Sequence, residues 1–213
     1  QFVSLRMNPQ GGLFELPGEA DQGPVAPFSA YGPGHGDFAP ALRASGCLKR
    51  FLDGGGKHLF VCNVDNLGAR LDPLMMGVYL QEDTSALVEV APKWPGDAGG
   101  APLKVDGQLQ LVEQLRYPES FDPEVVDVFN CNTFTFRAAD LDREFDMNWY
   151  YVEKKVEGSP AIQVERLIGE LTRFLPSSYV RVSRLGASNR FYPVKTPDDL
   201  EEAREELAEL FGI

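Results

Sequence analysis

Apolar positions along the chain fall into two spacings, and these divide it into strands and helices. Lys57 to Cys62, Ala86 to Val90 and Val125 to Phe129 are short, nearly continuous apolar runs, the pattern of strands buried on both faces. Leu103 to Val105 and Leu109 to Leu115 flank Asp106-Gly107, a dipeptide that tolerates positive φ at both centres of a type I′ turn and so predicts a hairpin. Trp149 to Val152 and Tyr179 to Val182 read as further strands. Helical spacing follows Asp37, an N-cap type: Phe38, Leu42, Leu48 and Phe51 recur at near-helical intervals before Gly54-Gly55-Gly56, predicting a helix over 38–53. A second helix is expected over 72–80, with Met75 and Met76 as core filler. Ser159-Pro160 has the form of a helix start, and Val164, Leu167, Ile168, Leu171, Phe174 and Leu175 continue from it as a stripe. The last helix opens at Thr196, which has Asp199 three residues on, and runs to about Phe211 with Leu200, Ala203, Leu207 and Leu210 on its core face.

Strands and helices therefore interleave, with one clear hairpin. That predicts an α/β domain: a mixed, mainly parallel sheet flanked by helices. Residues 7–36 are rich in Gly and Pro and read as loop, anchored by Leu13, Phe14, Leu16 and Phe28. No internal repeat or low-complexity block interrupts the 213 residues, a length that suits one domain.

The net charge of −12 argues against a nucleic-acid partner, which would need a basic face to displace counterions. It leaves room for a nucleotide, whose phosphates can be met by a few lysines, backbone N–H groups and a cation. The 3 cysteines, Cys47, Cys62 and Cys131, are widely spaced and form no disulfide framework. Cys62 and Cys131 fall in strand-like text and read as buried free thiols, which fits a cytoplasmic location. No apolar run approaches the ~20 residues that cross a bilayer.

Two polar stretches carry the candidate chemistry. Tyr31-Gly-Pro-Gly-His-Gly-Asp37 is a backbone-rich loop with one imidazole, and its glycines permit close approach to a phosphate or a sugar. Asn63-Val-Asp-Asn-Leu-Gly-Ala69 follows a buried strand, the position where open α/β sheets bind ligands. Asp65 in that loop offers a carboxylate to a divalent cation, and magnesium accepts one or two carboxylates and completes its shell with phosphates and water. Asn130-Cys-Asn132 reads as another polar strand end, where Asn132 either caps the strand or bonds sugar hydroxyls. Lys195 stands just ahead of the last helix, whose N-terminus already favours anions. Gln163 and Glu165 read as the opening of the helix after Ser159, where Glu165 suits the helix dipole. There is no Gly-x-Ser-x-Gly, and His35 and His58 are the only histidines, so nucleophilic catalysis and a zinc site find no support.

These stretches resemble the UTP–glucose-1-phosphate uridylyltransferase (UDP-glucose pyrophosphorylase) family. Tyr-Gly-Pro-Gly-His-Gly-Asp and Phe-Val-Cys-Asn-Val-Asp-Asn-Leu-Gly-Ala are followed in the same order by Val105–Glu113, Phe129–Asn132, Ile162–Glu165 and Arg190-Phe-Tyr-Pro-Val-Lys-Thr196. The resemblance implies a Rossmann-like, glycosyltransferase-A type nucleotidyltransferase core. It also implies a Mg²⁺-dependent conversion of UTP and glucose 1-phosphate to UDP-glucose and pyrophosphate. It assigns Gly34 to the nucleotide site, His35 to the sugar phosphate, and Asn63 and Asn132 to the sugar or its phosphate. Asp65 takes the metal, Lys195 the reacting phosphate, and Gln1 the nucleotide base. The family's Gly-rich loop, Leu-x-Gly-Gly-Leu-Gly-Thr-x-Met-Gly, has no counterpart here, and neither does its C-terminal β-helix. The resemblance therefore reads residues 1–213 as the central and C-terminal portion of a catalytic domain, expected to be inactive alone. The alternative is a non-catalytic sugar-nucleotide-binding module.

Overall fold

The computed structural model describes residues 3–16, 28–97 and 99–213. In chain order the strands are β1 (Ser4–Leu5), β2 (Ala30–Tyr31), β3 (His58–Val61), β4 (Ala86–Pro92), β5 (Ala101–Val105), β6 (Gln108–Val112), β7 (Val128–Arg137), β8 (Tyr150–Val156), β9 (Ser159–Glu165) and β10 (Ser177–Arg181). The α-helices are α1 (Phe38–Ala44), α2 (Cys47–Asp53), α3 (Pro73–Glu82), α4 (Pro197–Glu202) and α5 (Arg204–Phe211). The chain divides into two compact units, Gln1–Asp53 with Asp142–Leu171, and Gly54–Leu141 with Thr172–Ile213.

The second unit is built on a sheet in the order β10-β4-β7-β3. The fold is mixed α/β as expected, but the sheet is not mainly parallel. Only β10–β4 pairs in parallel, whereas β4–β7 and β3–β7 are antiparallel. Since β3 and β4 both oppose β7, β3, β4 and β10 point the same way, and β7 is the one reversed strand. β4 is buried along Ala86–Ala91, and Phe134 and Phe136 of β7 are fully buried with their rings stacked 5.4 Å apart. Each such ring contributes roughly 2 kcal/mol of hydrophobic burial.

Of the strand expected over Val125–Phe129, only Val128 and Phe129 are extended, as the start of the longer β7, which runs through the Asn130-Cys-Asn132 segment; Val125 closes a 3₁₀ turn, Pro123–Val125. The register jumps there, from Glu89↔Thr133 to Val90↔Asn130, leaving Cys131 and Asn132 as a bulge. Asn132 takes φ 53°, a left-handed value that asparagine tolerates better than most residues. The buried face shifts across the bulge, from Phe129 and Cys131 to Phe134 and Phe136.

The predicted hairpin is present. β5 and β6 close with Val105 opposite Gln108, and Asp106 and Gly107 have φ of 50° and 84°. The last helix starts with the expected capping box between Thr196 and Asp199, but bends at Ala203 into α4 and α5. The helix expected over 72–80 is α3, capped by Asp72, whose side chain accepts from the Leu74 N–H.

The first unit holds the two-stranded pairs β1–β2 and β8–β9. β9 corrects the expectation of a helix after Ser159. Val156 lies opposite Ser159, and the intervening Glu157-Gly158 has φ of 49° and 82°, the same turn chemistry as Asp106-Gly107. Ala161 and Gln163 are buried and alternate with more exposed neighbours, the period of a strand. The apolar residues beyond enter a 3₁₀ helix, Ile168–Arg173, rather than an α-helical stripe. The helix expected over 38–53 is interrupted between α1 and α2, where Gly46 has φ 69°. Asp37 makes no side-chain capping bond to α1.

Candidate functional site

In the second unit, the polar stretch Asn63–Ala69 lies beyond the end of β3. Asn63 is exposed, Val64 is 97% exposed and Asp65 is half-buried. Cys62 is exposed, which corrects the expectation of a buried thiol, whereas burial pushes the Cys131 thiol up to about 12. The stretch is stitched to the segment ahead of the last helix. Val194 N–H donates to the Asp65 carbonyl at 2.8 Å, Leu67 N–H donates to the Tyr192 carbonyl at 2.9 Å, and Asn66 bridges to Pro193. A Cβ on Gly68 would stand 2.6 Å from the Arg190 carbonyl carbon, so only glycine permits this approach.

These bonds bring the backbone carrying Asp65 beside the backbone carrying Lys195. Lys195 is exposed, and its main chain is held by the helix cap. Its N–H and that of Thr196 donate to Asp199 Oδ2 at 2.8 and 2.9 Å, and Asp199 N–H donates to Thr196 Oγ1 at 3.1 Å. Those same bonds hold the Asp199 carboxyl below its usual value, with the Lys195 and Thr196 amides as the leading causes.

Asn132 is not in a strand-end loop but in the β7 bulge. Val61, the last residue of β3, pairs with Phe134, so Asn132 lies just past the level where β3 ends. It shares that end of the sheet with Asn63 and Asp65. Its side chain forms a reciprocal pair with Asn130: Asn130 Nδ2 donates to Asn132 Oδ1 at 2.7 Å, and Asn132 N–H donates to Asn130 Oδ1 at 2.9 Å. Among the described residues no group of three or more His, Cys, Asp or Glu side chains is placed to hold a metal ion.

Beneath these loops is an ion pair that sequence reasoning missed. Arg190 meets Glu89 of β4 through Nε at 2.7 Å and Nη2 at 2.6 Å, with side chains only 6% and 4% exposed. Arg190 Nη2 also donates to the Arg70 carbonyl at 2.8 Å, and Nη1 lies 3.5 Å from Asp72 Oδ2. One guanidinium thus ties the central strand, the loop after Ala69 and the cap of α3 to the segment leading to Lys195. A charged residue inside the apolar run Ala86–Ala91 was the available signal, because a buried Glu requires a partner.

In the first unit, Tyr31–Asp37 is clamped along the end of β9. Tyr31 OH donates to the Val164 carbonyl at 2.8 Å and accepts from its N–H at 2.6 Å. Gly36 N–H donates to the Arg166 carbonyl at 2.8 Å. A Cβ on Gly34, where φ is 87°, would come within 2.8 Å of the Arg166 carbonyl oxygen, and one on Gly36 within 2.3 Å of its carbon. These glycines are required by packing against the Arg166 main chain, a reason distinct from ligand approach. Asp37 pairs with Arg166, whose guanidinium lies 4.5 Å from the Trp149 ring centre.

His35 Nδ1 accepts the Ile168 N–H at 2.9 Å, so the neutral ring carries its proton on Nε2. Burial lowers its pKa from 6.5, which keeps the ring neutral at physiological pH. Glu165 closes β9 and does not open a helix. Gln163, with its carboxamide oriented by its partners, accepts from Arg6 at 2.7 and 2.9 Å and donates to Glu165 Oε1 at 3.0 Å. Gln1 lies outside the described residues.

The fold is shared with solved sugar-nucleotide pyrophosphorylases. A Leishmania major UDP-glucose pyrophosphorylase variant, solved in complex with UDP-glucose, superposes with a TM-score of 0.70 at 27% identity, covering 94% of this chain and 46% of that one. A Trypanosoma brucei structure described as UDP-glucose phosphorylase gives a TM-score of 0.77 at 24% identity, covering 94% and 47%, a likeness of fold. In sequence, the "UTP--glucose-1-phosphate uridylyltransferase" of Encephalitozoon cuniculi is 31% identical over 193 residues, 83% of this chain and 38% of the relative. The Hordeum vulgare protein of the same name is 31% identical over 189 residues, with 83% and 39% covered. The chain therefore spans well under half the length of these relatives. The family model described as "UTP--glucose-1-phosphate uridylyltransferase" matches residues 15–210, and the chain belongs to that family.

Proposed function

We propose that the protein carrying this chain is a uridylyltransferase that converts UTP and glucose 1-phosphate to UDP-glucose and pyrophosphate. The observation that carries this reading is the stitching of the Asp65 and Lys195 segments, with Val194 N–H on the Asp65 carbonyl at 2.8 Å, in a chain of this family. The reaction needs no enzyme nucleophile. A phosphate oxygen of glucose 1-phosphate attacks the α-phosphorus of UTP in line, the bond to the bridging oxygen breaks, and pyrophosphate leaves. The protein supplies position and charge neutralisation.

Asp65 is the residue that would hold Mg²⁺. Its carboxylate is half-buried, and magnesium accepts a single carboxylate and draws the rest of its shell from phosphates and water. When bound, Mg²⁺ supplies charge neutralisation to phosphate oxygens. Lys195 places an ammonium from a main chain fixed by the Thr196–Asp199 box, and its charge is suited to the crowded α-phosphate. Asn63 and Asn132 offer amides to the sugar or its phosphate. His35 offers Nε2–H, a donor whose tautomer is already set by Ile168. Gly34 is assigned to the nucleotide, and Gln1 to its base. No helix among the described residues is long and apolar enough to cross a membrane. A cytoplasmic setting is part of the proposal.

The test is pyrophosphate release by the longest natural form of the protein, offered UTP with a panel of sugar 1-phosphates. Preferred turnover of glucose 1-phosphate is expected. Turnover confined to N-acetylhexosamine 1-phosphates would overturn the substrate assignment, and no release with any sugar would favour a binding module.

A further inference from the structure

Asn66 sits inside the stretch that carries Asp65, yet it is only 4% exposed. Its side chain makes two hydrogen bonds to the segment Arg190–Tyr192 and one within its own stretch. Nδ2 donates to the Arg190 carbonyl at 3.1 Å, while Oδ1 accepts from Tyr192 N–H at 2.7 Å and from Gly68 N–H at 3.1 Å. The orientation of the amide is fixed by these partners, one acceptor and two donors. The main-chain bonds Leu67–Tyr192 and Val194–Asp65 continue the same seam. One end of the seam is Asp65, and the other leads in two residues from Pro193 to Lys195.

We propose that Asn66 is the positioning residue that sets Asp65 and Lys195 in register, so that the cation-binding carboxylate and the phosphate-binding ammonium act as one unit. The inference rests on the reading of those two residues given above. The chemistry explains the residue type. The site requires a donor and a double acceptor in one short plane. Aspartate has the shape without the donor, so its charged oxygen would face the Arg190 carbonyl oxygen. Alanine has neither function, and glutamine is one methylene too long for a position this buried. Gly68 belongs to the same device, since a Cβ there would collide with the Arg190 main chain.

Asn66→Asp removes the donor while keeping the shape, and Asn66→Ala removes both functions. Two measurements are made. Amide hydrogen exchange in the 213-residue chain follows Gly68, Leu67, Tyr192 and Val194. Steady-state kinetics on the longest natural form follow kcat and the KM of each substrate.

The expected result is faster exchange at those amides in both variants, accompanied by a kcat loss on the order of tenfold, with both KM values changed less than kcat. Asn66→Ala, which adds no charge, serves as the variant if Asn66→Asp does not fold. Unchanged exchange at the seam in both variants overturns the positioning claim, whatever the activity. Faster exchange with wild-type kcat overturns it for the reaction. In that event, loss of turnover in Asp65→Asn leaves the site reading intact, and silence of Asp65→Asn removes that reading as well.

Discussion

Replacing Arg190 with Met leaves Glu89 in the central strand without its bidentate partner. The Glu89 side chain is 4% exposed, so the carboxylate cannot recover water without opening the sheet. Removing one member of a buried pair costs roughly 3–5 kcal/mol. The upper half of that range applies, because the Arg70 carbonyl and Asp72 lose the same guanidinium. At about 2–4 °C per kcal/mol for a chain of this size, the midpoint of thermal unfolding should fall by roughly 10 °C or more. The double variant Glu89→Leu/Arg190→Met removes the stranded charge and should recover at least half of the loss, a coupling that only interacting residues show. Thermal melts of the single and double variants make the measurement. A single-variant loss below about 1 kcal/mol, or a double variant no better than the single, would refute the idea that this pair is the footing of the loops.

Other consequences follow from individual contacts. His35 has its pKa lowered by burial, so the unfolded chain binds the proton first. Stability should fall as pH drops below about 6.5 and the slope should be smaller in His35→Gln, by thermal melts against pH. An identical slope in both would place the titration elsewhere. In activity, His35→Ala should weaken use of glucose 1-phosphate more than binding of UTP, and equal losses would make it a structural turn residue. Gly36→Ala should disrupt the first unit because its Cβ meets main chain at 2.3 Å, whereas Gly32→Ala, with nothing within 4 Å, should melt like wild type. Lys195→Ala should lower kcat about a hundredfold, roughly 3 kcal/mol, and an effect confined to KM would remove its transition-state role.

What could be read from sequence divides along the range of the interactions. Asp106-Gly107 announced its hairpin because the turn is fixed by two adjacent residues, and the Thr196–Asp199 box announced its helix for the same reason. Glu157-Gly158 makes the same kind of turn, but Glu is not a usual partner in it, and Ser159-Pro160 directly after it carries a competing helix-start signal. The bulge at Asn132 was invisible, since it depends on how Glu89 and Val90 register against β7. The residues beneath the site were harder still. Asn66 and Arg190 are 124 positions apart, and Glu89 and Arg190 are 101 apart. Only folding shows that Asp65 and Lys195 share a seam. Gly34 and Gly36 were legible as positions for close approach, and the neighbour that the structure shows at both is the Arg166 main chain, which no local pattern announces.

The proposed function places the metal-dependent chemistry on Asp65, held beside the Lys195 segment. It is tested most directly by titrating Mg²⁺ into the longest natural form of the protein and its Asp65→Asn variant, with UTP and glucose 1-phosphate saturating, while following pyrophosphate release. The account predicts a Mg²⁺-dependent rate in the natural protein and no detectable release at ordinary Mg²⁺ in Asp65→Asn, with unchanged circular dichroism. A variant that turns over near the natural rate across the same titration would contradict it.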